Sequence, residues 1–117
     1  VRRRGQGMKT VTIVDINPEA LEAAEAELQQ RHPGATTMSR VVDVSDLASV
    51  SALHDAVYSS AEFGECGFLF NNAGGSWEEG FSAYDTPLDQ WDRTLKVNLY
   101  GVLHSESTAA ATLSSVI

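Results

Sequence analysis

The sequence predicts an α/β fold in which short parallel strands alternate with covering helices. Three observations carry this: apolar, β-branched runs near 10–15, 38–44 and 68–71; stretches of helical period after each; and short connections rich in Asn, Asp, Pro and Gly. At 117 residues the chain has room for one hydrophobic core but not for two domains. Residues 1–117 are therefore read as a single domain.

Thr10-Val11-Thr12-Ile13-Val14-Asp15 has the pattern of a strand buried on both faces and ends on an acid. Asn17 is suited to cap the next helix and Pro18 to open it. Leu21, Ala24 and Leu28 then recur at helical spacing until His32-Pro33-Gly34 stops the run. A second strand near Met38 to Val44 closes on Asp43. Ser45 or Asp46 caps a helix whose Leu47, Val50, Leu53 and Val57 form one apolar stripe. A third strand, near 67–71, ends in Asn71-Asn72-Ala73-Gly74-Gly75, where glycines permit a tight turn and close approach to a ligand. Thr86-Pro87-Leu88-Asp89 supplies a cap, a first-turn proline and an acid at capping-box distance. The helix it opens runs to about His104 with Leu88, Trp91, Leu95, Asn98 and Val102 on its buried face. The Ala/Ser/Thr-rich tail from Ser105 either continues this helix, frays or is foreign sequence.

With 43% hydrophobic and 21% charged residues the composition is that of a soluble globular protein. The net charge of −8 and a basic cluster limited to Arg2-Arg3-Arg4 argue against nucleic-acid or anionic-membrane partners. No apolar window reaches a membrane span, and no signal core follows the arginines, so a cytoplasmic location is expected. Cys66 is the one cysteine and excludes an internal disulfide. His32, His54 and His104 share no metal-binding spacing and are read as helix-surface or helix-end residues. Glu25 is assigned to the solvated face of the first helix, and Trp77 and Phe81 to local packing rather than substrate contact. The chain begins with Val, which suggests a start upstream or at Met8.

Ligands of parallel sheets bind at the carboxyl ends of the strands, where the unusual polar residues gather. A carboxylate at Asp15 can accept from both hydroxyls of a ribose and would repel a ribose phosphate, which favours NAD over NADP; the alternative is that Asp15 only assists the next helix. Asp43 could accept from the exocyclic amine of an adenine while the Val44 amide donates to a ring nitrogen; the alternative is a helix cap. Two such acids suit a dehydrogenase or a methyltransferase that uses S-adenosylmethionine.

Asn71-Asn72-Ala73-Gly74 after Phe68-Leu69-Phe70, with Lys96-Val97-Asn98-Leu99-Tyr100-Gly101 on the following helix, resembles the short-chain dehydrogenase/reductase family. The resemblance runs from Arg3 to about Thr108. It implies part of a Rossmann-type doubly wound parallel sheet and hydride transfer between NAD and an alcohol or carbonyl substrate. In that family Asn71, Asn72, Ala73 and Gly74 would stabilise the sheet and line the adenosine side of the pocket. Asn98 would belong to the catalytic tetrad, its main chain holding a water that relays protons to a lysine. The family's oligomers often pair through the helix holding this asparagine, so a homo-oligomer through that helix is implied. As a polar group in an apolar stripe, Asn98 also requires a partner on physical grounds.

Several family features are missing. No Thr-Gly-x-x-x-Gly-x-Gly loop brings backbone amides to a pyrophosphate. Gly5-Gln6-Gly7 precedes the Asp15 strand and fits the turn ending an absent first helix. No Tyr-x-x-x-Lys occurs: Tyr58, Tyr84 and Tyr100 are followed at that spacing by Glu62, Leu88 and His104. Ser114 and Ser115 come too soon after Asn98 to match the catalytic serine, and Gly67 stands where the family usually has Asp. The family's first strand would lie between the Asp15 and Asn71 strands, leaving a gap on the order of 5 Å per interstrand step. The expectation is a fragment, inactive by itself, that is unstable, re-pairs its strands or needs a partner. The rival readings are a non-catalytic remnant or isoform that binds intact subunits, and a methyltransferase fragment.

Overall fold

The computed structural model describes residues 9–64, 66–77 and 84–113. The expectations placed on Gly5-Gln6-Gly7, Met8, Phe81, Ser114 and Ser115 lie outside the described residues. Strand β1 (Thr10–Asp15) leads into helix α1 (Pro18–Arg31), strand β2 (Thr36–Val41) and helix α2 (Leu47–Tyr58). Helix α3 (Leu88–Leu95), a π-helical turn (Lys96–Tyr100) and helix α4 (Gly101–Leu113) follow as one continuous helical run.

The two strands pair in parallel, in a register that sets Thr10 beside Thr36 and Asp15 beside Val41. A parallel pair requires a crossover, and α1 supplies it, lying against both strands. Asn17 starts α1 as the sequence predicts: its Oδ1 accepts from the amides of Glu19 (2.9 Å) and Ala20 (3.2 Å), and Pro18 spends no donor. His32 closes the helix by donating its amide to the Leu28 carbonyl at 2.8 Å. Asp46, not Ser45, caps α2 through the Ala48 amide at 3.1 Å. Gly64, at φ +59, turns the chain after α2 in a conformation that would strain a side chain.

Several expectations are corrected. The second strand occupies Thr36–Val41 rather than running to Asp43. Residues 68–77 form no strand, and Phe68 and Phe70 are 69% and 74% exposed, stacked on each other at 6.5 Å. A strand exists only through a ladder, and among the described residues no strand pairs with this segment. β1 is half-buried rather than covered on both faces, with Val14 and Asp15 exposed. A further correction concerns the α3–α4 stripe, of which Leu88, Leu95 and Asn98 are exposed. The π-helical turn adds a residue to the ladder there, with the Gly101 amide reaching back five residues to the Lys96 carbonyl, so positions before and after it do not share one face. Pro87 rather than Thr86 takes the cap position of α3, and its carbonyl accepts from the Gln90 and Trp91 amides.

Among the described residues the buried apolar side chains are Leu21, Val42 and Val50, and none is fully buried. The Cα radius of gyration is 16.9 Å, above the roughly 13 Å of a compact domain near this length. The accessible surface is 8984 Å², against about 6200 Å² for a compact chain of this mass. The helices and strands are formed, but they surround little core.

Candidate functional site

The parallel pairing puts the carboxyl ends of β1 and β2 side by side, and the ladder extends one step past β2 as the Val42 amide donates to the Asp15 carbonyl at 3.0 Å. Asp15 is exposed at this edge. Its Oδ1 accepts from the Asn17 amide at 2.8 Å, so it does assist the entry to α1 while its carboxylate still faces solvent.

Asp43 follows the buried Val42. Its amide donates to Ser49 Oγ at 3.1 Å, and its Oδ1 accepts from the Ser45 amide (2.9 Å) and Ser45 Oγ (2.6 Å). These bonds make a tight polar turn ahead of the Asp46 cap and hold the Asp43 carboxyl in one orientation. Val44, at the tip of this turn, presses on the helical run: a Cβ built on Gly101 would meet Val44 Cγ2 at 2.8 Å. Only glycine permits that approach. His104, one turn later, bonds through Nδ1 to the Val44 carbonyl at 3.0 Å.

The 71–77 segment is held by the same run. Asn98 uses both ends of its amide on one residue, accepting from the Gly75 amide at 2.8 Å and donating to the Gly75 carbonyl at 2.7 Å. Gly74 lies so close that a Cβ there would come within 3.1 Å of Asn98 Oδ1. Asn71 donates from Nδ2 to Glu106 Oε1 at 2.9 Å. Trp77 folds back over Gly75, and the Arg93 guanidinium covers its ring at 4.7 Å from the centroid. Asn72 and Ala73 are exposed between these anchors. Asn98 thus has the partner its polarity demands, but in an exposed position and on a loop rather than inside an apolar stripe.

Beside the π-helical turn, Lys96 Nζ pairs with Asp92 Oδ2 at 2.6 Å. The hydrogen bond to Asp92, and then its charge, hold the Lys96 ammonium above the ordinary lysine pKa. An open groove of about 270 Å³ is lined by Ser45, Asp92, Lys96, Tyr100 and His104.

Asp15, Asp43 and Val44 therefore share one edge, while the 71–75 segment meets the helical run at two places, Gly74 and Gly75 at Asn98 and Asn71 at Glu106; the same run touches Val44. Sequence reasoning missed three contributors. His104 was assigned to the helix surface, although it stands three residues after Gly101 on the same face. Glu106 fell within an ambiguous tail. Arg93 gives no signal, since its partner Trp77 lies in a loop. Glu25 is also corrected: it is half-buried and accepts from Thr37 Oγ1 (3.1 Å) and Ser39 Oγ (2.6 Å), tying α1 to β2. β2 offers hydroxyls on that face, and a carboxylate is their natural acceptor.

Comparison with known proteins identifies this architecture. The family model described as short chain dehydrogenase matches residues 3–115. Levodione reductase of Leifsonia aquatica is 34% identical over 102 residues, which cover 87% of this chain and 37% of that protein. D-threitol dehydrogenase of Mycolicibacterium smegmatis is 39% identical over 94 residues, covering 78% of this chain and 33% of the relative. Among solved structures, NAD+-bound xylitol dehydrogenase superposes with a TM-score of 0.78 at 33% identity, covering 87% of this chain and 37% of that one. Levodione reductase superposes with a TM-score of 0.81 at 29% identity, covering 87% and 38%. The sheet and its helices thus belong to an α/β fold of the Rossmann type. The chain belongs to the short chain dehydrogenase family of oxidoreductases, and it spans about a third of the length of these relatives. The methyltransferase reading finds no support among them.

Proposed function

We propose that this chain is the cofactor-side part of an NAD-dependent oxidoreductase that transfers hydride between the nicotinamide and an alcohol or carbonyl substrate. The observation that carries the reading is the double hydrogen bond between Asn98 and Gly75, because it ties the Asn-Asn-Ala-Gly segment to the helix on which the proton relay depends.

The residues present fit an adenosine. Asp15 has one carboxylate oxygen engaged by Asn17 and stands exposed at the strand end, as a ribose-binding acid requires. NAD is preferred over NADP because a 2′-phosphate would meet this negative charge. Asp43, held by Ser45, and the Val44 backbone would contact the adenine, while Asn71, Asn72, Ala73 and Gly74 line the adenosine side. When bound, the nicotinamide supplies the hydride acceptor or donor. Asn98 would support the relay through its main chain, which lies within the π-helical turn.

The 117 residues contain neither a phosphate-binding glycine loop nor a Tyr-x-x-x-Lys pair, so the segment alone is expected to be inactive. Residues 1–117 form one incomplete cofactor domain in this reading, in a cytoplasmic protein that acts on small molecules and pairs through the Asn98 helix. The test is a spectrophotometric assay of the complete gene product with a panel of secondary alcohols and NAD or NADP. NAD-linked turnover supports the reading; turnover with NADP alone overturns the cofactor assignment, and none with either overturns the activity.

The second reading, a non-catalytic chain that binds intact subunits, is favoured by the exposure of Phe68, Phe70, Leu99, Tyr100 and Leu103. Co-sedimentation with a full-length homologue distinguishes it.

A further inference from the structure

The Val44–Ser45 peptide is held from both sides. Its carbonyl faces His104 Nδ1 at 3.0 Å, and its N–H donates to Asp43 Oδ1 at 2.9 Å. The two groups of a trans peptide point in opposite directions, so fixing one aims the other. A carbonyl only accepts, which places the proton of this imidazole on Nδ1. His104 can reach the turn because Gly101 lets Val44 Cγ2 sit where a Cβ would be 2.8 Å away. The same helical run grips Gly75 through Asn98.

From this chain of contacts we propose that His104 is a positioning residue for adenine recognition: by holding the Val44–Ser45 peptide it orients the Asp43 carboxylate and the Val44 backbone. It touches no ligand itself. Without its donor, the peptide can rotate about its flanking bonds, the Ser45 amide leaves Asp43 Oδ1, and the carboxylate is held by Ser45 Oγ alone, a rotatable hydroxyl that fixes its direction less firmly. This rests on the assignment of Asp43 and Val44 to the adenine under the proposed function.

The test uses the complete gene product, with 5′-AMP as the adenine probe and nicotinamide mononucleotide as the control lacking adenine. His104→Phe and His104→Leu keep an apolar side chain there and remove the donor, whereas His104→Asn retains a donor near the Nδ1 position. Both donor-free variants should weaken AMP binding about five- to tenfold, as loss of one hydrogen bond implies. Binding of nicotinamide mononucleotide should stay within about twofold, and His104→Asn should restore most of the AMP affinity. Amide exchange at Ser45 should quicken in the donor-free variants alone. Unchanged AMP binding in those variants, or equal weakening of both nucleotides, overturns the role of His104 while leaving the cofactor reading intact. Failure of the unsubstituted protein to bind AMP removes the cofactor reading and this inference together.

Discussion

Asp15 shows how one side chain serves local structure and a ligand at once. One carboxylate oxygen accepts the Asn17 amide at 2.8 Å, which shapes the entry to α1, and the group remains exposed. Asp15→Ala in the complete gene product should raise the KM for NAD about tenfold or more, as loss of a charged acceptor implies, and narrow the preference over NADP. An unchanged NAD/NADP ratio of kcat/KM would leave Asp15 as a turn residue only. Lys96 makes a separate electrostatic prediction. Asp92 raises its pKa above the unfolded lysine value, so the stabilisation is complete below that value and is lost as pH rises through the folded one. Asp92→Asn should move the Lys96 titration measured by NMR back toward the ordinary lysine value. The pair is exposed, so its effect on stability should be small.

At the scale of elements, the junction of α4 with the turn after β2 depends on Gly101. Adding a methyl group puts Cβ at 2.8 Å from Val44 Cγ2, so either the helix or the turn must move. Gly101→Ala should lower the unfolding free energy of the complete gene product by about 1–3 kcal/mol, the usual range for overpacking. Val44→Ala in the same protein should recover part of that loss by removing the colliding methyl. Chemical denaturation of the single and double variants measures both, and additive effects would show that the two residues do not meet. The π-helical turn just before Gly101 sets which residues of the run face which loop, with Asn98 toward Gly75 and His104 toward Val44.

At the scale of the molecule, the described elements enclose too little apolar volume for ordinary stability. Three buried apolar side chains, an open edge on β1 and an exposed Phe68–Phe70 stack leave hydrophobic surface in water. The 117-residue chain by itself should therefore melt without a sharp cooperative transition and bind a hydrophobic dye before heating. A single steep calorimetric transition, with slow amide exchange across β1 and β2, would contradict this. The same surface explains why association with a second polypeptide is a serious rival to catalysis for the isolated chain.

The sequence by itself determined the α/β class, the family, and those local structures whose causes are local. Asn17-Pro18 starts a helix wherever it stands, because the cap bonds span only two or three residues, and Asn71 to Gly74 identifies the family by its residues alone. Only the tertiary structure decided the rest. Whether residues 68–71 become a strand depends on a neighbour to pair with, and hydrophobic pattern cannot supply one. Asn98 was legible as a residue needing a partner, but the choice of Gly75 arose from the approach of a loop 23 residues earlier in the chain. His104 and Val44 stand 60 residues apart, and their hydrogen bond exists because Gly101 lets helix and turn come together. Local interactions are written in neighbouring residues, whereas contacts between distant segments depend on how the packed elements are placed.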